Sequence, residues 1–375
     1  PILLLGSLII LVLGFKELGG WDEMMRVCGA VTVNDYGDTM TNLIRSNDDA
    51  NFPWLGALIG SAIIGFWYWC TDQFIVQRVL SGKNEMEARR GTIFGAYLKL
   101  LPVFLFLIPG MIAFALHQKY IGAGGEGFLP MLANGTANAD AAFPTLVAKL
   151  LPAGVKGLVV CGILAALMSS LASLFNSSAM LFTIDFYKRF KPETPEKKLV
   201  GIGQIATIVI VVLGILWIPI MRSVGDVLYT YLQDVQSVLA PGIAAAFLLG
   251  ICWKRTSAQG GMWGLISGMV IGLTRLGAKV YYSNAGEVAD STFKYLFYDM
   301  NWLFFCGWMF LFCIIVVIVV SLATEAPTAE KIQGLVFGTA TKEQKAATRA
   351  SWNHWDIIHT VIILAITAAF YWYFW

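Results

Sequence analysis

Long apolar segments recur along the whole chain and dominate what it can fold into. A helix needs about 20 apolar residues to cross a bilayer. One partial segment, 1–15, opens the chain, and eight longer ones follow: 54–76, 91–116, 157–185, 199–220, 227–253, 261–282, 302–323 and 356–375. No alternation of polar and apolar residues competes with this pattern. The sequence therefore predicts an all-α polytopic membrane protein and not a β-barrel.

The composition excludes several other classes. The chain is 57% hydrophobic and 13% charged, whereas a soluble domain carries about twice that charged fraction. A net charge of +2 gives no reason to expect a nucleic-acid partner. No HExxH, GxSxG or Walker A motif is found, and the GAGGEG at 122–127 follows a predicted membrane helix and not a strand, so an enzyme is disfavoured. The sequence starts at Pro1, inside an apolar run and without Met, so we expect its true beginning to be missing.

Positive charge alternates between successive loops. Loops 77–90, 186–198, 254–260 and 324–355 hold 15 Lys and Arg in 66 residues, whereas loops 16–53, 117–156, 221–226 and 283–301 hold 8 in 103. Basic residues favour the cytoplasmic side. The first set is therefore predicted to be cytoplasmic, and the C-terminus, ending in YWYFW, to be extracellular or periplasmic.

Polar residues interrupt the first full span, in the stretch WYWCTDQF. On one continuous helix, six residues would share a face: Gly65, Tyr68, Trp69, Asp72, Gln73 and Val76. Aromatic rings above an Asp and a Gln suit a sugar, whose ring C–H faces stack and whose hydroxyls need hydrogen-bonding partners. Alternatively, the aromatics form an interfacial belt and Asp72 pairs with Arg78. The stretch by itself favours neither hypothesis.

Two further spans carry polar residues. Lys99 lies about two turns into its span, near Pro102 and Pro109, which suggests a bent helix lining a cavity; the alternative is a lysine that snorkels to the surface. The stretch AALMSSLASLFNSSAM places a row of small and hydroxyl side chains on one face: Ala166, Ser169, Ser170, Ser173, Ser177 and Met180. Such a row suits close helix packing, or oxygen ligands for sodium.

A third polar group lies in YLQDVQSVLAPGIAAAF. Gln233, Asp234 and Gln236 precede Pro241-Gly242, which predicts a broken helix. Broken helices with polar residues near mid-membrane indicate the binding site of a transporter.

Together these stretches resemble the sodium/solute symporter family, and its sodium–sugar cotransporter branch in particular. The similar segments, in family order, are WYWCTDQFIVQR, YLKLLPVFLFLIPGM, LAALMSSLASLFNSSAMLFTIDFY and APGIAAAFLLGICWKR. The resemblance covers essentially the whole chain. It implies the leucine-transporter-type fold of two inverted five-helix repeats, with most of the first repeat missing from this chain. Segment 1–15 would then be the end of the fifth core helix, and 16–53 an extracellular loop. Segment 54–253 would hold core helices six to ten, and 254–375 three peripheral helices.

The resemblance also implies roles for individual residues. Tyr68 would stack under the sugar as the inner gate, and Trp69 would support it. Lys99 and Gln233 would hydrogen-bond the sugar, and Tyr229 stands where the family often has an outer-gate Phe. The sodium ligands would be the Ala166 carbonyl, Ser169 and Ser170, with Ser173 at a possible second sodium site. Asp72 and Gln73 would lie below Tyr68, on the cytoplasmic exit path.

The implied function is sodium-coupled uptake of a glucose- or galactose-like monosaccharide across the plasma membrane by alternating access. Its implied partners are sodium, the sugar and the lipid bilayer, with no catalytic step. Two alternatives remain open within this resemblance. One is a sodium symporter for myo-inositol or another polyol, and the other is a sugar sensor of the same fold that does not transport.

Overall fold

The chain folds almost entirely into helices, as its apolar runs predict. The computed structural model describes residues 2–132, 135–224, 228–285 and 289–375. At residues 220 and 222–224 it describes the backbone and not the side chains. The predicted loops 221–226 and 283–301 therefore fall partly outside the described residues. Within the described ranges the only strand-like pairings are three isolated bridges, so the all-α prediction is confirmed.

Most helices follow one another closely, but 24 residues separate α2 from α3 and 19 separate α6 from α7. In chain order they are α1 (Ile2–Leu18), α2 (Trp21–Gly29), α3 (Trp54–Cys70), α4 (Gln73–Leu80), α5 (Glu85–Pro102), α6 (Ile108–Gly122), α7 (Ala142–Leu150), α8 (Ala153–Met180), α9 (Lys188–Phe190), α10 (Glu196–Val224), α11 (Leu228–Cys252), α12 (Ala258–Asn284), α13 (Thr292–Lys294), α14 (Trp302–Ala323), α15 (Ala329–Ile332), α16 (Lys342–Ala350) and α17 (His354–Tyr373). Wider π-helical turns link three pairs of them, at Val103–Leu107, Leu181–Tyr187 and Tyr295–Asp299.

Most predicted spans reappear as helices of membrane-crossing length. Six described helical stretches qualify by length and apolarity, and the bent pairs α1–α2 (74°) and α3–α4 (50°) bring the number to eight. The 27-residue α12 is not among them; it is rich in glycine and carries Arg275 and Lys279. The polytopic prediction is thus confirmed.

The chain forms two compact units, and their boundaries fall between α2 and α3 and within α5, α10 and α17. The first unit comprises residues 1–43, 94–217 and 362–375. In its core, Ile10 of α1 packs with Ile112 and Leu116 of α6, Leu146 of α7 and Val159 of α8. These side chains are buried because their helices turn apolar faces towards one another.

The last residues of the chain pack within this first unit. The indole Nε1 of Trp21 donates to the Tyr373 hydroxyl at 3.0 Å, and the Leu43 amide donates to the Phe374 carbonyl at 2.8 Å. The C-terminal end of α17 therefore lies beside residues 21–43 of the same unit.

The second unit comprises residues 44–93 and 218–361 and is built on α3, α11, α12 and α14. Glycines let these helices approach closely, as is common between membrane helices. A Cβ on Gly272 of α12 would lie 2.6 Å from the Val238 carbonyl oxygen of α11. A Cβ on Gly268 would lie 3.0 Å from Cα of Gly242. Backbone thus meets backbone along the contact between α11 and α12.

Three long helices leave broad apolar faces uncovered. Only 6% of the most apolar part of the Ala153–Phe190 helix is buried, with 11% for Glu196–Pro219 and 6% for His354–Tyr373. Faces of this size need bilayer lipid or further protein against them.

Candidate functional site

The nine candidate site residues are divided between the two units. Tyr68, Trp69, Tyr229 and Gln233 belong to the second unit. The first unit holds the other five, which are Lys99, Ala166, Ser169, Ser170 and Ser173. The geometry of each group is therefore described within its own unit.

The aromatic pair of the second unit stands at the C-terminal end of α3. The Tyr68 ring meets the Trp69 ring edge-on, with centroids 5.3 Å apart and planes at 89°. On its other side Tyr68 is 6.2 Å from Trp67, which packs against the core of the unit. Tyr68 is half-buried and Trp69 is 47% exposed. The core thus anchors Trp67, and the next two rings offer an aromatic surface.

The helix that carries these rings ends sooner than predicted. The Thr71 hydroxyl donates to the Trp67 carbonyl at 2.7 Å, and the amides of Thr71 and Asp72 turn to the same carbonyl. The Asp72 carboxylate accepts from the Phe74 amide at 2.8 Å and caps α4. Side chains that bond to nearby backbone interrupt a helix in this way. The predicted single face from Gly65 to Val76 is therefore wrong, since the chain bends by 50° after Cys70.

Gln233 and Tyr229 lie one turn apart on α11 and contact each other. Gln233 Nε2 donates to the Tyr229 hydroxyl over 3.4 Å, and Gln233 is half-buried. The hydroxyl that distinguishes Tyr229 from the Phe often found in the family thus holds the amide of the candidate sugar ligand. The fold thus brings together two candidate residues to which the sequence assigns separate roles.

Asp234, the next residue, is buried between two cations of α12. Its Oδ1 lies 3.3 Å from Arg275 Nη2, and its Oδ2 lies 2.6 Å from Lys279 Nζ. Arg275 is fully buried, donates from Nη2 to the Met300 carbonyl at 2.8 Å, and lies 4.0 Å above the Phe305 ring. A buried charge needs such partners. We call Asp234, Arg275 and Lys279 the charged triad.

Arg275 and Lys279 are not among the candidate residues that the sequence indicates. They stand four residues apart inside the predicted span 261–282, and an ionisable residue within a span is itself a functional signal. Their common partner Asp234 is 41 residues from Arg275 and could not be identified from local spacing.

The predicted break at Pro241-Gly242 is wrong. The helix α11 runs from Leu228 to Cys252 with Pro241 inside it. Proline has a helical φ and removes only one hydrogen bond, so packing on both sides can hold the helix through it. Pro241 is buried, and Gly242 adjoins Gly268 of α12. The Pro-Gly pair therefore serves close packing.

Lys99 lies three residues before Pro102, the last residue of α5. The chain passes Pro102, widens into a π-helical turn over Val103–Leu107 and continues as α6 through Pro109. The expected bend takes the form of this π-helical turn, because each proline lacks the N–H that would donate a regular α-helical hydrogen bond. Lys99 is exposed on the surface of its unit.

The four candidate sodium residues share one face of α8, as their spacing predicts. The helix is regular from Ala153 to Met180 and places the four at offsets of three or four residues: Ala166, Ser169, Ser170 and Ser173. The Ser173 hydroxyl donates to the Ser169 carbonyl at 3.1 Å. Ala166, Ser169 and Ser170 are exposed on their unit. This face offers hydroxyl and carbonyl oxygens, the donors that a hard cation prefers.

The chain belongs to the Sodium:solute symporter family, whose profile matches residues 1–268. This match confirms the expected family and, with it, sodium as the coupling ion of that family.

Among curated relatives, the Bos taurus "Sodium/mannose cotransporter SLC5A10" is 33% identical over 394 residues, covering 100% of this chain and 66% of its own. The Homo sapiens "Sodium/myo-inositol cotransporter 2" is 34% identical and covers 90% of this chain and 52% of its own. The Ovis aries "Sodium/glucose cotransporter 1" is 36% identical and covers 86% of this chain and 51% of its own. The chain thus spans between half and two thirds of the length of these relatives.

Proposed function

We propose that the full-length protein is a sodium-coupled symporter that carries a glucose- or galactose-like monosaccharide into the cell by alternating access. The observation that carries this proposal is the family match, because all nine candidate residues lie within residues 1–268. Relatives named for glucose, mannose and myo-inositol transport support a sugar or polyol as substrate. No catalytic step is part of the proposal.

The aromatic pair and the two polar side chains would bind the sugar. The Tyr68 ring would stack on the C–H face of the sugar, with Trp69 holding it edge-on. Gln233, steadied by the Tyr229 hydroxyl, would meet one sugar hydroxyl, and Lys99 another. A site built for hydroxyls discriminates against substrates that lack them, since its polar groups would then stay unpaired.

The face of α8 would supply part of the sodium shell. Its donors would be the Ala166 carbonyl and the hydroxyls of Ser169 and Ser170, with Ser173 at a second sodium site. By resemblance, the first repeat would supply the remaining oxygens. Coupling requires that sodium and sugar each bind one conformation more tightly than the other. The membrane potential adds about 2.3 kcal/mol per charge for each 100 mV.

Contacts between loops support the proposed arrangement in the plasma membrane. Within the second unit, two predicted inner loops contact each other, since Arg89 donates to Ser351 at 3.1 Å. The Phe337 amide of inner loop 324–355 donates to the Ile251 carbonyl, near the predicted inner end of span 227–253, at 2.8 Å. Predicted outer segments also contact each other, as Asn301 donates to the Ala50 carbonyl at 2.7 Å. With basic loops inside, the C-terminus would be extracellular or periplasmic.

Uptake into proteoliposomes tests this function. The full-length protein would be supplied with labelled glucose, galactose, mannose or myo-inositol, under an inward sodium gradient or with potassium replacing sodium. We expect hexose uptake that requires sodium. A preference for myo-inositol would favour the polyol carrier. Sugar binding without uptake would favour a sensor, and equal uptake without sodium would contradict symport.

A further inference from the structure

We propose that a groove between α5 and α17 binds one phosphoglyceride whose headgroup carries both a phosphate and an ammonium, as in phosphatidylethanolamine. The groove is a cavity of about 690 Å³ in the second unit. The inference does not rest on the transport function, because its readout is the lipid bound.

One face of each helix forms the groove wall. On α5, Glu85, Arg89 and Thr92 follow one another at offsets of four and three, so they project to the same side. On α17, Asp356 and Thr360 are four residues apart and line the opposite side. Both helices begin at this end of the groove, and their acidic first-turn residues, Glu85 on α5 and Asp356 on α17, offset the positive dipole ends that lie there.

The polarity of the wall changes along the two helices as it does along a lipid. The charged residues Glu85, Arg89 and Asp356 lie in the first turns. Ile93 and Val361 line the wall further into α5 and α17. Both α5 and α17 belong to stretches long and apolar enough to cross a membrane. A headgroup at the mouth and acyl chains along the deeper wall match this gradient.

The guanidinium of Arg89 is placed to bind a phosphate. Glu85, one turn earlier on the same face, is in a position suited to an ion pair with Arg89. Arg89 instead donates from Nη2 to the Ser351 hydroxyl at 3.1 Å. Its Nε is buried and has no hydrogen-bond partner within the described part of the chain, so a phosphate oxygen that reached it would complete its hydrogen bonding. Arginine binds phosphate through its forked N–H donors, which leaves this side chain with unused capacity.

The charges at the mouth balance, which favours a zwitterionic headgroup over an anionic one. Asp356 is already engaged, since its Oδ2 accepts from the Asn353 amide and its Oδ1 lies 3.7 Å from Arg90 Nε. Arg89 and Glu85 then face the ligand with one charge of each sign. A primary ammonium can donate to the Glu85 carboxylate, whereas choline has no N–H. Phosphatidylethanolamine thus fits better than phosphatidylcholine or phosphatidylglycerol.

Lipid binding to the purified full-length protein tests this inference. The delipidated protein in detergent would be titrated with phosphatidylethanolamine, phosphatidylcholine or phosphatidylglycerol, and the bound lipids counted by native mass spectrometry. We expect one phosphatidylethanolamine per chain, bound about tenfold more tightly than the other two. Equal binding of the three lipids would overturn the proposal. So would displacement of the lipid by phosphoethanolamine alone at the same concentration, which would assign the site to a soluble zwitterion.

Variants separate the charges from the shape of the groove. Arg89→Gln should lose the bound lipid, and Glu85→Gln should shift the preference towards phosphatidylglycerol. Thr92→Trp fills the groove without changing its charge and should also release the lipid, which covers the case that Arg89→Gln fails to fold. Glu87→Gln removes the same charge outside the wall and should change nothing. Retention of the lipid by folded Thr92→Trp would overturn the proposal.

Discussion

The ammonium nitrogen of Lys279 lies 2.6 Å from Oδ2 of Asp234, and Asp234 immediately follows the candidate sugar ligand Gln233 in α11. Arg275 contacts the other carboxylate oxygen. Two cations of α12 therefore hold one carboxylate on the buried side of α11. A rotation of α11 that moves Gln233 would stretch both contacts, so we infer that the charged triad fixes the rotational position of that helix.

Loss of the central carboxylate tests the charged triad. Asp234→Asn leaves two buried cations without their counter-ion, and breaking a buried pair costs about 3–5 kcal/mol. We expect a marked fall in the free energy of unfolding, measured by denaturation in detergent. The control is Lys294→Gln, which removes a cation from the exposed pair with Asp290 and should leave the unfolding midpoint unchanged. Similar small effects of both changes would contradict a structural role for the triad.

The glycines of α12 give a matched pair of substitutions. Gly272→Ala drives a methyl group towards the Val238 carbonyl, and overpacking costs about 1–3 kcal/mol. Gly277→Ala on the same helix meets nothing within 4 Å and should be neutral or stabilising by up to about 1 kcal/mol, because alanine favours helices. The melting temperatures of the two variants should therefore move in opposite directions or differ clearly. Equal shifts would mean that α11 and α12 do not pack as described.

The sodium site predicts a selective effect of removing a hydroxyl. Ser170→Ala should weaken the apparent sodium affinity by about tenfold or more, since an interaction with a charged group is lost. At saturating sodium the sugar affinity should stay nearly unchanged. Thr207→Val, which removes a hydroxyl that bonds within α10, is the control. Unchanged sodium dependence in both Ser169→Ala and Ser170→Ala would leave helix packing as the explanation of this face.

The sugar site predicts graded losses at three side chains. Gln233→Ala should weaken sugar binding by about 0.5–1.5 kcal/mol and Lys99→Ala by about 1.5–3 kcal/mol, because a charged partner counts for more. Tyr229→Phe keeps the ring but frees the Gln233 amide. The loss of sugar affinity in this variant should therefore be smaller than in Gln233→Ala, and it should vanish in the Gln233→Ala background. The sugar affinity of each variant would be measured by equilibrium binding to the folded protein. Wild-type affinity in all three variants would remove these residues from the site.

The aromatic surface predicts different outcomes for two changes at Tyr68. Tyr68→Phe keeps the ring that meets Trp69 and should retain partial, leakier transport. Tyr68→Ala removes the stacking surface and the gate and should abolish coupled uptake. Sodium-driven uptake would be normalised to folded protein. An interfacial belt would instead lower the yield of Tyr68→Ala while leaving normalised uptake near normal.

Much of the fold could be predicted because the length of an apolar run requires a helix wherever it occurs. The errors arose where one or two residues decide the local geometry. Thr71 and Asp72 bond to neighbouring backbone and bend the chain after α3, whereas Pro241 is held inside a continuous α11 by its packing. Residue spacing and composition alone predict a continuous helix through Thr71 and Asp72, and a break at Pro241.

The candidate site was partly predictable for a similar reason. Neighbours on one helix, such as Tyr229 and Gln233, follow from a spacing of four residues. The partners of Asp234 come from another helix, and only the crossing of α11 and α12 brings them together. The resemblance to a family indicated which residues to examine, but not that Arg275 and Lys279 support the helix carrying one of them.

Charge movement driven by sugar tests the central claim most directly. Proteoliposomes holding the full-length protein would be adsorbed on a solid-supported membrane, and glucose or galactose would be added in sodium or in potassium buffer. Sodium-coupled symport predicts a current that carries positive charge inward with the sugar, that requires sodium and that is lost in Tyr68→Ala. A sugar-evoked current of equal size in potassium buffer, or sugar uptake that moves no charge in sodium, would contradict the account.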